Sequence, residues 1–167
     1  IQQNLSLQAN AGDLICLIGI NGAGKSTLLH TLAGLLKPIT GEVLLNGKSV
    51  HALSNYERST LFSLVLTDAI VVDKMSVYDL VAMGRLPYTN WLGYLSQNDK
   101  NIIYNSLQRV NLLHKKDAYI SQISDGEKQR VMIAKALAQE TPIIILDEAT
   151  AHLDIQNRVK IMILLKQ

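Results

Sequence analysis

The spacing of apolar residues changes several times along the chain, and each change marks an element. Leu14-Ile-Cys-Leu-Ile18 is an uninterrupted apolar run, the pattern of a parallel strand buried on both faces. A glycine-rich turn follows. Ser26 to Ala33 then has helical composition, ended by Gly34 and Pro38. Val43-Leu-Leu45 runs into Asn46-Gly47, a hairpin-type turn. Ser54 with Glu57 has the spacing of a capping box and opens a short helix, and Leu61 to Leu66 reads as another apolar strand.

From about 68 to 118 the pattern becomes one of short helices: Val77 to Met83, capped by Ser76 with Asp79, then Asp99 to Val110, then a piece near Asp117. Most of the aromatic residues lie here. The stretch reads as a helical subdomain inserted between strands, whose exposed face serves either docking or plain packing. Helical spacing returns from Asp125 to Gln139. Pro142 opens Ile143-Ile-Ile-Leu146, a second fully buried strand, and Ile155 to Gln167 reads as a helix. Strands alternating with helices predict an α/β fold with a largely parallel sheet and an N-terminal antiparallel β part.

Composition narrows the functions. Hydrophobic residues make up 48% and charged residues 18%, an ordinary globular balance, and with 5% aromatics the core rests on Leu, Ile, Val and Ala. Sixteen basic against fourteen acidic residues leave a net charge of +2, too even for nucleic-acid binding. Lys115-Lys116, the nearest thing to a basic cluster, reads as a solvated helix end. The single Cys16 cannot form an internal disulfide, which points to a reducing compartment, and it reads as a small core residue. No apolar run approaches the ~18 residues of a membrane span, and no signal peptide is seen. A role at a membrane would therefore be exercised from its side. Both ends read as cuts: Ile1 follows no Met, and the last helix stops without a cap.

Gly19-Ile-Asn-Gly-Ala-Gly-Lys-Ser-Thr27 fits the phosphate-loop pattern G-x-x-x-x-G-K-S/T. Gly22 and Gly24 allow the tight turn that aims backbone N–H groups at phosphate oxygens. Asn21, Ala23 and Thr27 complete the cradle. Lys25 supplies a mobile positive charge, the Ser26 hydroxyl can ligate Mg²⁺, and the following helix points its N-terminus at the same anion. Alone, the loop specifies only a nucleotide phosphate site. The apolar strand ending in Asp147-Glu148 adds two carboxylates where α/β sheets bind ligands. Asp147 is placed to hold Mg²⁺ and Glu148 to polarise an attacking water.

Ile123-Ser-Asp-Gly-Glu-Lys-Gln-Arg130 resembles the L-S-G-G-E/Q-x-Q-R signature of ATP-binding-cassette (ABC) proteins, and Asp147-Glu-Ala-Thr-Ala-His-Leu-Asp154 resembles their D-E-P-T-x-x-L-D run. The motifs keep the family's order and spacing over essentially the whole chain. The resemblance implies a P-loop NTPase core, ATP and Mg²⁺ as cofactors, and a head-to-tail dimer with a second ABC ATPase subunit. In such a dimer Ser124, Gly126 and Glu127 of one copy, with Asp154, would meet ATP held by the other. Ser124 with Glu127 is also an ordinary capping box, and both readings hold together.

Three departures stand out. Asp125 replaces a signature glycine, so its carboxylate is expected to point away from the nucleotide. The Gln that the family places after its second strand, reaching Mg²⁺, is matched by Thr67, with neighbouring Asp68 or neither residue as alternatives. The upstream aromatic residue that stacks on adenine and the terminal His of the family fall outside the chain; His152 is not that His, and His30, His51 and His114 match no motif. Leu64-Val-Leu-Thr-Asp68, Ser76 to Arg85 and Trp91-Leu-Gly93 resemble the importers of iron–siderophore, haem and cobalamin complexes. That branch implies transmembrane permease subunits as partners, a substrate-binding protein acting indirectly, and a peripheral place on the cytoplasmic face of the cell membrane. The rivals are a soluble non-transport ABC ATPase of translation or repair, and a fragment that binds ATP with little turnover.

Overall fold

The computed structural model describes residues 5–66, 74–147 and 155–165. In chain order these form α1 (Lys25–Leu32), β1 (Leu44–Leu45), β2 (Lys48–Ser49), α2 (Asn55–Leu61), β3 (Phe62–Val65), α3 (Val77–Ala82), α4 (Gln97–Arg109), α5 (Asp125–Ala138), β4 (Ile143–Leu146) and α6 (Ile155–Leu165). Short 3₁₀ turns at Val50–Ala52, Met83–Tyr88, Leu113–Lys115 and Ile120–Gln122 join them.

One local device starts four of the helices. Ser54, Ser76, Ser96 and Ser124 each accept a hydrogen bond from the backbone N–H three residues on. The acid there (Glu57, Asp79, Asp99 or Glu127) accepts one from the serine's own N–H. Each box satisfies two donors that a helix start would otherwise leave unpaired.

Strands β3 and β4 pair in parallel, from Phe62 beside Ile143 to Val65 beside Leu146. Alternation along the pair sorts its side chains onto two faces. Phe62, Leu64, Ile143 and Ile145 meet Leu29, Leu32 and Ala33 at the α1 end, together with Val43, Leu45 and Val50 around the hairpin. Val65, Ile144 and Leu146 enter a larger core built from Val77 and Val81 of α3, Ile103 and Leu107 of α4, and Val131 and Ala134 of α5. The sheet is therefore covered by helices on both faces, as a parallel pair requires. Strands β1 and β2 form the antiparallel part, Leu45 beside Lys48. Their turn places Asn46 at φ 50° and Gly47 at φ 79°, the two left-handed residues of a type I′ hairpin.

A buried arginine joins the middle of the chain to the end of α5. Gly84, in the Met83–Tyr88 turn, lies so close to α5 that a Cβ there would stand 2.4 Å from the Lys135 carbonyl oxygen. That approach brings Arg85 into the interior. Its Nε donates to Asp99 Oδ1 at 2.9 Å, and its Nη1 donates to the Ala138 carbonyl and to Glu140 Oε2, both at 2.8 Å. The guanidinium carbon lies 4.2 Å from the centre of the Tyr88 ring, whose hydroxyl donates to the Gln139 carbonyl at 2.8 Å. The Gln139 side chain then donates to the carbonyls of Ser59, at 2.6 Å, and Phe62, at 3.1 Å.

Several expectations need correction. The run Leu14–Ile18 is not a strand here: it joins neither sheet, and Ile18 is 93% exposed. An apolar run becomes a buried strand only beside a strand with matching backbone groups and under helices, and among the described residues β3 and β4 pair only with each other. Cys16, expected in the core, is exposed for the same reason. Strand β4 is half-buried rather than fully buried, with Ile145 its one buried residue. Lys115 is not simply solvated: its ammonium donates to Glu127 Oε1 at 2.7 Å.

Candidate functional site

The phosphate-loop pattern folds into a cleft of about 230 Å³ lined by Asn21, Gly22, Gly24, Lys25, Ser26 and Thr27. Gly22 at φ 81° and Gly24 at φ 92° occupy the left-handed region, so a side chain at either would strain the turn. Ala23 closes the loop by donating its N–H to the Ile20 carbonyl at 3.3 Å. The Lys25 ammonium donates to the carbonyls of Gly19 and Ile20, both at 3.0 Å, which holds the cation over the cleft. Ser26 and Thr27 are exposed at the start of α1. Leu29 and Leu32 anchor that helix to the sheet.

A second group gathers at the start of α5. Ser124 caps the helix. Glu127 Oε2 accepts from the Ser124 N–H at 3.0 Å and its hydroxyl at 3.2 Å, while Oε1 takes Lys115. The Lys115 ammonium, seconded by the Ser124 backbone, holds the Glu127 carboxyl down from 4.5 to about 2. Both Glu127 oxygens are thus engaged inside the protein. Asp125, 79% exposed, pairs with Lys128 at 2.9 Å, one turn along the helix. Gly126 lies between them in the first turn.

Asp147 is buried just beyond the C-terminal end of β4, with its N–H donated to the Val65 carbonyl at 2.9 Å. Neither Asp147 nor Ser124 lines the phosphate-loop cleft. Glu148, Thr67, Asp68 and Asp154 lie outside the described residues. Among the described residues no group of three or more His, Cys, Asp or Glu is placed to hold a metal ion. The donors present are oxygen donors, the Ser26 hydroxyl and the Asp147 carboxylate, the hard chemistry that suits Mg²⁺.

Lys115 and Arg85 escape a reading of the pattern alone. The only signal for Lys115 is a basic residue shortly before a capping box that contains an acid. For Arg85 it is an arginine following a glycine inside an otherwise apolar helix end.

The ABC transporter family model matches residues 2–151. An uncharacterized ABC transporter ATP-binding protein of Methanocaldococcus jannaschii is 42% identical over 167 residues, covering 100% of this chain and 58% of that protein. A petrobactin import ATP-binding protein of Bacillus anthracis is 36% identical over 165 residues, covering 99% of this chain and 61% of that protein. The chain thus spans about three-fifths of the length of these curated relatives. Among solved structures, the dimeric form of a bacterial ABC transporter cassette superposes with a TM-score of 0.84 at 28% identity, over 95% of this chain and 70% of that one. No helix among the described residues is long and apolar enough to cross a membrane.

Proposed function

Because the chain belongs to the ABC transporter family, we propose that it is the ATP-binding and ATP-hydrolysing part of a transporter's motor subunit. The observation that carries this is the phosphate-loop cleft with Lys25 held over it and Ser26 at its helix end. The backbone of Asn21 to Thr27, with Lys25, holds the phosphates. Ser26 and Asp147 hold Mg²⁺, which when bound neutralises charge on the transferred phosphoryl group. Glu148 orients and polarises the attacking water. Phosphoryl transfer asks little covalent chemistry of the protein, so positioning and electrostatics suffice.

A second copy completes the site in this reading. Ser124 and the Gly126 backbone contact the γ-phosphate of ATP held by the partner, and Asp154 lies at the same interface. Glu127 contributes by fixing the Ser124 cap, since its oxygens are already engaged. The dimeric cassette with the same fold supports that assembly. The chain forms a single domain in which the helices between about 68 and 118 are an insert that meets transmembrane permease subunits. The subunit sits peripherally on the cytoplasmic face of the membrane.

Import of iron–siderophore, haem or cobalamin-type complexes is the cargo class we assign, with a substrate-binding protein acting upstream. The petrobactin-import relative supports it, together with the branch resemblance around Leu64, Ser76 to Arg85 and Trp91. Thr67 is the residue we match to the family's Gln; with Mg²⁺ bound, its hydroxyl would act on the ion through a water. The test is ATP turnover by the full-length protein with Glu148→Gln as the comparison. The wild type is expected to turn over ATP at least about a hundredfold faster; equal rates would sink the catalytic assignment.

A further inference from the structure

Arg85 and Asp99 are both almost completely buried, with side-chain exposures of 6% and 8%. A buried ion pair contributes little net stability over an apolar replacement of similar volume. What a guanidinium supplies that a leucine cannot is direction, because its planar fork fixes the angle between the groups it joins. The groups joined here come from separate elements: the Met83–Tyr88 turn, the first turn of α4 at Asp99, and the end of α5 at Ala138 and Glu140. Tyr88 and Gln139 extend the cluster to Ser59 and Phe62. The C-terminal end of α5 is therefore clamped from several sides, with a cation on the Ala138 carbonyl, where the helix dipole is negative.

The other end of α5 carries Ser124 and is tied by the Lys115–Glu127 pair, whose lysine side chain is 37% exposed. Helix α5 has 14 residues, so it is a lever about 21 Å long. A tilt of about 3° at the clamped end would move the Ser124 end by about 1 Å. A misplacement of that size, far from the chemistry, can cost about a hundredfold in rate.

We propose that Arg85 is a positioning residue: by locking the C-terminal end of α5 to the Met83–Tyr88 turn and to α4, it sets where Ser124 stands at the opposite end. It touches no nucleotide and acts through the helix. This rests on the reading of Ser124 as a contact to the ATP of a second copy.

The experiment uses the full-length protein and compares wild type, Arg85→Met, Arg85→Lys, Tyr88→Phe and Ser124→Ala for kcat, KM and melting temperature. Arg85→Met is expected to lower kcat by about ten- to a hundredfold while KM stays within about threefold, because the phosphate-loop cleft is untouched. Arg85→Lys keeps the charge and recovers part of the loss. Tyr88→Phe removes one hydrogen bond to the end of α5 and lowers kcat by a smaller factor. An Arg85→Met protein that is folded at the assay temperature with wild-type kcat overturns the proposal, as does one whose loss lies wholly in KM. If Arg85→Met does not fold, Tyr88→Phe decides: unchanged kcat in that folded variant overturns it equally. A wild type without ATP turnover, or a Ser124→Ala protein with full activity, instead refutes the underlying reading of the site, and this inference falls with it.

Discussion

Glu127 shows how much one side chain can carry. Its carboxyl is held from 4.5 down to about 2 by Lys115 and the Ser124 backbone. A folded-state value below the unfolded one stabilises the fold above about 4.5, and that contribution is lost as the pH falls toward about 2. Water reaches the half-exposed Lys115 and screens the pair, so the effect is on the order of 2 kcal/mol. Urea unfolding at pH 6 and pH 2.5 checks this: wild type should lose about that much more stability than Glu127→Gln on acidification. Equal losses would show that the fold does not hold the Glu127 carboxyl below its ordinary value. The sequence announces Glu127 as the acid of a capping box, and the structure has that box. It does not announce Lys115, twelve residues upstream, because whether a lysine meets a carboxylate depends on how the 3₁₀ turn at Leu113–Lys115 folds back on α5.

At the scale of elements, the helix starts were the most legible part of the chain. A capping box is local, needing only a serine and an acid three residues on, and the three read from the pattern are present at Ser54, Ser76 and Ser124. The fourth, Ser96 with Asp99, shows that the predicted helix start at Asp99 was placed slightly late. The hairpin at Asn46-Gly47 was legible for the same reason. Contacts between distant residues were not: Arg85 meets Ala138 and Glu140 across more than fifty positions. The run at Leu14–Ile18 failed because strand pairing is a property of two segments. Losing the α5 cap in Ser124→Ala should cost about 1 kcal/mol in stability, read as a shift in the urea midpoint. In the proposed function the same change should lower ATP turnover about tenfold or more, well beyond what a still-folded protein owes to a weakened cap. A turnover loss absent at full folding would confine Ser124 to capping.

For the whole molecule, the helices on the α5 side of the sheet share one well-filled core, while the segment before the phosphate loop leaves Leu5, Leu7, Leu14, Ile15 and Ile18 about half exposed or more. Several exposed apolar side chains on one segment favour association. The 167-residue chain should therefore self-associate with rising concentration in sedimentation velocity, and Ile18→Lys should reduce it. A chain that stays monomeric at high concentration would show that this surface is not sticky. The candidate site is divided in the same way. The phosphate loop was readable because its chemistry is contiguous in sequence. How Asp147 stands relative to that loop depends on packing across the sheet.

The parallel pairing of β3 with β4 has a further consequence in time. Phe62 lies beside Ile143, so the 80 residues between them must be synthesised before the pair can form. At roughly 5–20 residues per second, β3 emerges roughly 4–16 s before the strand that completes it. The helices α3, α4 and α5 can meet through shorter separations as they appear, whereas the sheet closes a long loop and forms late. Through that interval Phe62 and Leu64 have no β4 to pair with, and a newborn chain is most open to capture by chaperones or by its neighbours.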